Sequence, residues 1–216
     1  AHLSDYAIAL FRTKVVPDKK HEGLSQFLVD LKSPDISIRP IIDLGGGHHF
    51  NEVHFQDCLV PDDMRVGQEG DGWKQVTTEL GFERSGPEPY LSSLQLVIEL
   101  IREAGQQPGE RAAALIGHFT AHLVTLRQMS LSIATMLQAG KLTNLEAAVV
   151  KDIGTTFEQE IPEAVHALTG AEPRLGSGSD FEKTLGYLVQ HAPSFSLRGG
   201  TREVLRGIIA RGLGLR

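Results

Sequence analysis

The sequence predicts an α+β chain: a β-module first, then helices that can pack as an antiparallel bundle. Two observations carry this reading. Over residues 1–68, short apolar runs recur at close intervals between Gly, Pro and Asp, the pattern of strands joined by tight turns. After Gly72 the apolar spacing changes to i, i+3/i+4, the period of an amphipathic helix. The 216 residues allow one large domain or two small ones, and 41% apolar with 22% charged residues excludes disorder and low complexity.

In chain order, Tyr6–Phe11 is a short apolar strand, followed by a Lys-rich turn over residues 16–23. Ser25–Leu31 is the next strand and Ser33-Pro-Asp35 the next turn. Ile36, Ile38 and Ile41 mark a third strand that Pro40 is expected to interrupt. Gly45–Gly47 precedes a fourth, Phe50–Phe55, in which Val53 and Phe55 alternate. Trp73, Val76, Leu80 and then Glu83 or Arg84 share one helical face until Pro87 and Pro89 break it. The helix resumes through Leu91, Leu94, Ile98 and Ile101, and Gly105–Gly109 is a clear break. Residues 110–139 carry the stripe Leu115, Phe119, Leu123, Leu126, Met129, Ile133, Met136 and Leu137, with Gly140 at the stop. Thr143-Asn-Leu-Glu146 reads as a capping box for a helix with Leu145, Val149, Ile153, Phe157 and Ile161 on its apolar face. After a Gly/Ser-rich loop over 170–179, Asp180 caps a short helix to about residue 190, and a last helix starts near Thr201 with Val204, Leu205, Ile208 and Ile209.

The net charge of −6 offers no broad electrostatic footprint for nucleic acid. Cys58, the only cysteine, excludes an intrachain disulfide and is expected to be a buried structural thiol. No apolar run is long enough to span a bilayer, so no membrane insertion and a cytoplasmic location are expected. Ala1-His-Leu-Ser-Asp5 leads straight into the first strand, and the length of the chain is expected to be that of a piece.

Several residues could carry chemistry. His48, His49 and His54 cluster about one glycine turn but lack a recognisable metal-ligand spacing, so no metal is expected. Gly45–Gly47 lacks the Lys-Ser/Thr of a phosphate loop and reads as a tight turn. The last helix, with Arg202, Arg206, Arg211 and Arg216 against Glu203, suits either phosphate contacts or a solvated face. Glu83 falls beside the Trp73–Leu80 stripe, next to Phe82. A carboxylate against apolar walls suits a base that takes a proton from carbon. A surface glutamate paired with an arginine fits the same spacing, and spacing alone favours that second reading.

Three stretches alter the balance. Val53-His-Phe-Gln-Asp-Cys-Leu-Val-Pro61, with Val66-Gly67 and Gly70-Asp-Gly-Trp73 after it, resembles the end of the middle β-domain of acyl-CoA dehydrogenases and the entry to their C-terminal helices. Leu80-Gly-Phe-Glu-Arg84 resembles the first C-terminal helix where it meets substrate. Arg198-Gly-Gly-Thr-Arg-Glu-Val-Leu-Arg206 resembles the family's closing G-T-x-E-I-L-R motif. The resemblance implies a partial β-barrel or sandwich module over residues 1–70 and an antiparallel four-helix-bundle domain over 71–216. It implies a flavoenzyme that holds FAD and converts an acyl-CoA to its 2-enoyl form. Its electrons would pass to electron-transfer flavoprotein or a similar acceptor, and copies would assemble through the helical domain as a homodimer or tetramer.

Most members place the catalytic base in the closing motif, as E-G-T; here that position is Gly199. A minority place it on the first C-terminal helix just before an arginine, and Glu83-Arg84 matches that arrangement. The resemblance therefore implies Glu83 as base, Arg84 as a holder of CoA or of the base, and Gly200, Thr201 and Glu203 against the flavin. The R-x-x-F-G that reaches a neighbouring subunit's flavin is missing, Gly81 replaces a frequent aspartate, and the region with the main flavin loops would lie upstream of Ala1. These departures keep a second class open: a non-catalytic or degenerate subunit of a heteromeric dehydrogenase.

Overall fold

A computed structural model describes residues 1–215. Arg216 of the expected basic terminal helix lies outside the described residues. The chain divides into two compact units, Ala1–Glu79 and the residues from Leu80 onward. Among the described residues, no helix is long and apolar enough to cross a membrane.

In the first unit, β1 (Tyr6–Arg12) pairs antiparallel with β2 (Leu24–Asp30). β2 pairs in turn with the short β5 (Arg65–Val66). β3 (Ile36–Ile41) and β4 (Phe50–Phe55) form a separate antiparallel pair. These are two open sheets, and no closed barrel is present among the described residues. Phe11 joins them, lying on Phe27 in its own sheet and edge-on to Phe55 in the other. On β1 the large side chains Tyr6, Ile8 and Leu10 point outward and are exposed, while the alanines between them are half-buried.

Pro40 does not interrupt β3. It pairs with Asn51 inside the strand, which is tolerated because β3 has a neighbour on one side only and needs no N–H on the other. The glycine turn between β3 and β4 is tight: Gly46 has φ +79°, and the Gly47 N–H donates to the Asp43 carboxylate at 2.9 Å. The three histidines about it find separate partners within the unit. His48 bonds Asn51 and stacks on His2, His54 bonds Glu52, and His49 lies 3.9 Å from Asp43. Cys58 is half-buried rather than buried, and its thiol donates to the Ser33 hydroxyl at 3.8 Å.

Helix α1 (Gly72–Ser85) stops before Pro87, and α2 (Glu88–Leu91) is a single turn with Pro89 near its start. The second unit continues through α3 (Leu94–Ala104), α4 (Glu110–Gln138), α5 (Asn144–Thr169), α6 (Asp180–His191), a 3₁₀ turn over Ala192–Leu197, and α7 (Arg202–Gly212). Phe119, Leu126 and Ile133 of α4 are buried as the stripe predicts. They share a core with Leu96 and Leu100 of α3, Ile161 of α5 and Leu185 and Leu188 of α6. α5 is central, packing against α2, α3, α4, α6 and α7.

Four local expectations fail here. Thr143 is the N-cap of α5, but its side chain makes no capping bond, because its backbone (φ −125°, ψ 25°) is not extended. The capping box lies instead at α6, where Ser179, not Asp180, is the cap and exchanges bonds with Glu182. The buried face of α3 is Leu96, Val97 and Leu100, leaving Ile101 exposed. On α5, Ile153 is 42% exposed, because the helix turns a partly polar face inward.

Gly154 of α5 fixes the approach of α2: a Cβ there would stand 2.6 Å from the Pro89 carbonyl oxygen. Glycine to alanine inside a helix ordinarily stabilises by about 1 kcal/mol, but this clash with backbone costs about 1–3 kcal/mol. Gly154→Ala should therefore lower stability, measured as a reduced midpoint in urea unfolding.

Candidate functional site

The end of α1 and the loop leading into α7 meet although more than a hundred residues separate them. Glu83 and Arg84 occupy the last turn of α1. Arg84 is 7% exposed and its Nε donates to the Gly199 carbonyl at 2.7 Å. Burial pulls its pKa down and the Glu83 carboxylate beside it pushes back; the guanidinium stays charged. Gly199 and Gly200 have φ +66° and +113°, which glycine adopts without a Cβ penalty.

A Cβ at Gly199 would lie 3.3 Å from Glu83 Oε1 and 3.5 Å from Lys151 Cε. A Cβ at Gly200 would lie 3.4 Å from Arg84 Nη2. The glycine pair thus lets the backbone pass close to α1 and α5, beside the exposed Glu83 carboxylate. Thr201 follows it as the N-cap of α7, accepting from the Val204 N–H. The Glu203 carboxyl is held below its ordinary pKa by its own backbone N–H and by the Thr201 hydroxyl. The residues expected at the site therefore come together in two groups, Glu83 with Arg84 and Gly199 with Gly200, and Thr201 and Glu203 open the helix that follows.

The cluster that periodicity missed lies directly below. Lys151, Thr155 and Glu158 sit at i, i+4 and i+7 on α5 and are all buried. Glu158 is 0% exposed. Its Oε1 accepts from Arg198 Nη2 at 2.7 Å and its Oε2 from the Ser92 N–H at 3.2 Å. Arg198 also reaches the Ser92 hydroxyl at 2.5 Å and lies 4.7 Å above the Phe195 ring. Burial raises the Glu158 pKa, and Arg198 opposes it. Lys151 is 3% exposed, and its Nζ donates to Thr155 Oγ1 at 2.8 Å and to the Phe195 carbonyl at 3.3 Å. Burial lowers its pKa to about 8, with Glu158 opposing. A Lys-x₃-Thr-x₂-Glu spacing would have revealed this face had polar residues been counted as candidates for the interior.

Two arginines of α7 turn to α5. Arg202 and Arg206 approach Asp152 at 3.6 and 3.5 Å, and Arg202 bonds the Thr156 hydroxyl. Two of the four basic residues considered for phosphate contacts thus serve packing within the unit.

Residues 70–214 match the family model described as "Acyl-CoA dehydrogenase, C-terminal domain". The chain is 32% identical to acyl-CoA dehydrogenase IpdE1 of Mycobacterium tuberculosis over 100% of its own length and 56% of that protein. It is 30% identical to acyl-CoA dehydrogenase FadE34 of the same organism over 99% of its length, which is 29% of that larger protein. Its fold matches a chain of the ChsE4–ChsE5 complex from Mycobacterium tuberculosis with a TM-score of 0.78 at 25% identity, covering 100% of this chain and 58% of that one. The chain therefore spans only part of the length of the relatives it matches.

Removing Arg198 should strand the Glu158 carboxylate. A carboxyl whose folded pKa lies above its unfolded value favours the folded state at low pH, and that advantage is lost as pH rises through the folded pKa. Arg198→Met should therefore cost more stability at pH 8 than at pH 5. A cost of roughly 2–4 kcal/mol at pH 8 is expected for a broken buried pair whose arginine is partly solvated, with a smaller cost at pH 5. Denaturant unfolding at the two pH values checks this.

Proposed function

The chain belongs to the acyl-CoA dehydrogenase family, and on that premise we propose that it is the C-terminal part of a flavin-dependent enzyme that oxidises an acyl-CoA thioester to its 2-enoyl-CoA, with Glu83 as the base. In this reading residues 1–70 complete the middle β-domain. Residues 71–216 are the C-terminal domain, a four-helix bundle through which copies assemble as a dimer or tetramer. The observation that carries the reading is the close approach of Glu83 to Gly199. The Glu83 carboxylate lies 3.3 Å from where a side chain would start at that position, the one that holds the base in most of the family.

The α-C–H of a thioester is weakly acidic, so its removal needs a positioned carboxylate and a site that excludes water. Glu83 supplies the carboxylate and accepts the α-proton. Arg84 ties the closing loop to α1 through the Gly199 carbonyl and so sets where the base stands relative to that loop. Gly200, Thr201 and Glu203 are the residues of this chain that would lie against one edge of a flavin, where the bare backbone of Gly200 and the N–H groups that open α7 suit close approach of a polar ring edge. Bound FAD supplies the acceptor for the β-hydride, and electron-transfer flavoprotein or a similar carrier is the proposed reoxidant.

The missing R-x-x-F-G favours a second reading, a degenerate subunit in a heteromeric assembly. The likeness to a chain of the ChsE4–ChsE5 complex adds support. One experiment separates the two. The full-length protein, purified with the region upstream of Ala1, should be yellow and should bleach on addition of an acyl-CoA. Glu83→Gln should stay yellow and lose turnover by about 10²–10⁴-fold. A colourless full-length protein, or a Glu83→Gln variant of unchanged activity, overturns the enzyme reading.

A further inference from the structure

We propose that His118 and His122 of α4, with Glu160 of α5, form a binding site for a divalent transition-metal ion of the zinc type. The ion would staple together the two longest helices of the second unit. The inference stands apart from the assignment of Glu83 as base.

The two histidines are four residues apart on one helix and so share a face. Their ring centroids are 4.3 Å apart, edge to face. Glu160 comes from the neighbouring helix, and its Oε1 lies 3.1 Å from His118 Nε2. His118 therefore adjoins both other members of the group. His122 Nδ1 is buried and has no hydrogen-bond partner among the described residues. Aromatic side chains limit how far the imidazoles can swing: Phe157 of α5 lies 5.1 Å from the His122 ring, and Phe119 lies 5.9 Å from that of His118.

Neutral imidazole and carboxylate are ligands that zinc takes, and three of them leave a fourth tetrahedral position for water. Imidazole also selects zinc, copper or nickel over magnesium and calcium, which prefer oxygen. Closing the three ligands on one ion at about 2 Å needs a final adjustment. The exposed Glu160 side chain can supply it by rotation. In zinc hydrolases with paired helical histidines, a glutamate after the first serves as general base. Here that place is taken by the buried Phe119, so the site holds an ion without hydrolytic chemistry. A plain contact between His118 and Glu160 would account for the 3.1 Å approach, but it leaves the buried His122 nitrogen without a partner.

The test is calorimetric titration of Zn²⁺ into the full-length protein after stripping with a chelator. One site is expected that His118→Gln, His122→Gln and Glu160→Gln each weaken by at least about tenfold, the least that loss of even an outer partner of a metal costs. His48→Gln, on a different histidine cluster, should leave that site unchanged. Zn²⁺ should raise the melting temperature of the unaltered protein, as any ligand of the folded state alone does, and should fail to raise that of His118→Gln. Co²⁺ in place of Zn²⁺ should give the strong visible absorption of a four-coordinate ion, lost in the same variant. No zinc uptake, or an affinity unchanged in any of the three ligand variants, overturns the proposal. If the half-buried His122→Gln does not fold, the exposed His118→Gln decides the outcome alone.

Discussion

Glu158 has no exposed surface and sits in the middle of the helix that touches nearly every other helix of its unit. A carboxylate in that place must be neutralised and hydrogen-bonded, or it costs several kcal/mol. The surrounding chain is arranged to meet that demand. The short α2 ends where the Ser92 N–H can reach one oxygen, the Ser93 hydroxyl bonds the Glu158 carbonyl at 2.6 Å, and Arg198 comes back from the far end of the sequence for the other oxygen. Arg198 is the first residue of the loop that carries Gly199 and Gly200. The ion pair that settles the core therefore also delivers the closing loop to the end of α1.

A second tie acts on the same loop from the other side. Arg84 donates to the Gly199 carbonyl while being almost fully buried. Two arginines, one from the loop and one from α1, thus hold a single turn of backbone in a left-handed conformation. The exposed carboxylate of Glu83 is placed by this double fixing rather than by contacts of its own. Holding a carboxylate through its backbone neighbours leaves its oxygens exposed.

Much of this was legible in the sequence, for physical reasons that can be named. The strands β1, β2 and β4 announce themselves because short apolar runs end in residues that favour turns. The stripe on α4 is clean because that helix presents one apolar face, with Phe119, Leu126 and Ile133 innermost. The pairing of Glu83 with a bare position at Gly199 was visible as two complementary departures from a family pattern. α5 was misread because periodicity counts apolar residues, and its inner face includes Lys151, Thr155 and Glu158 where Ile153 was expected. Thr143 failed as a capping side chain for a different reason: a Thr-x-x-Glu spacing is necessary for the box but does not set the backbone angles that close it.

Gly199 has a φ of +66°, where any side chain bears a steric cost of about 1–2 kcal/mol. A side chain there would also start 3.3 Å from Glu83 Oε1 and 3.5 Å from Lys151 Cε, so it would crowd α1 and α5 at once. A change at this one position would therefore be felt in three places: the loop's own backbone, the end of α1, and the buried polar face of α5.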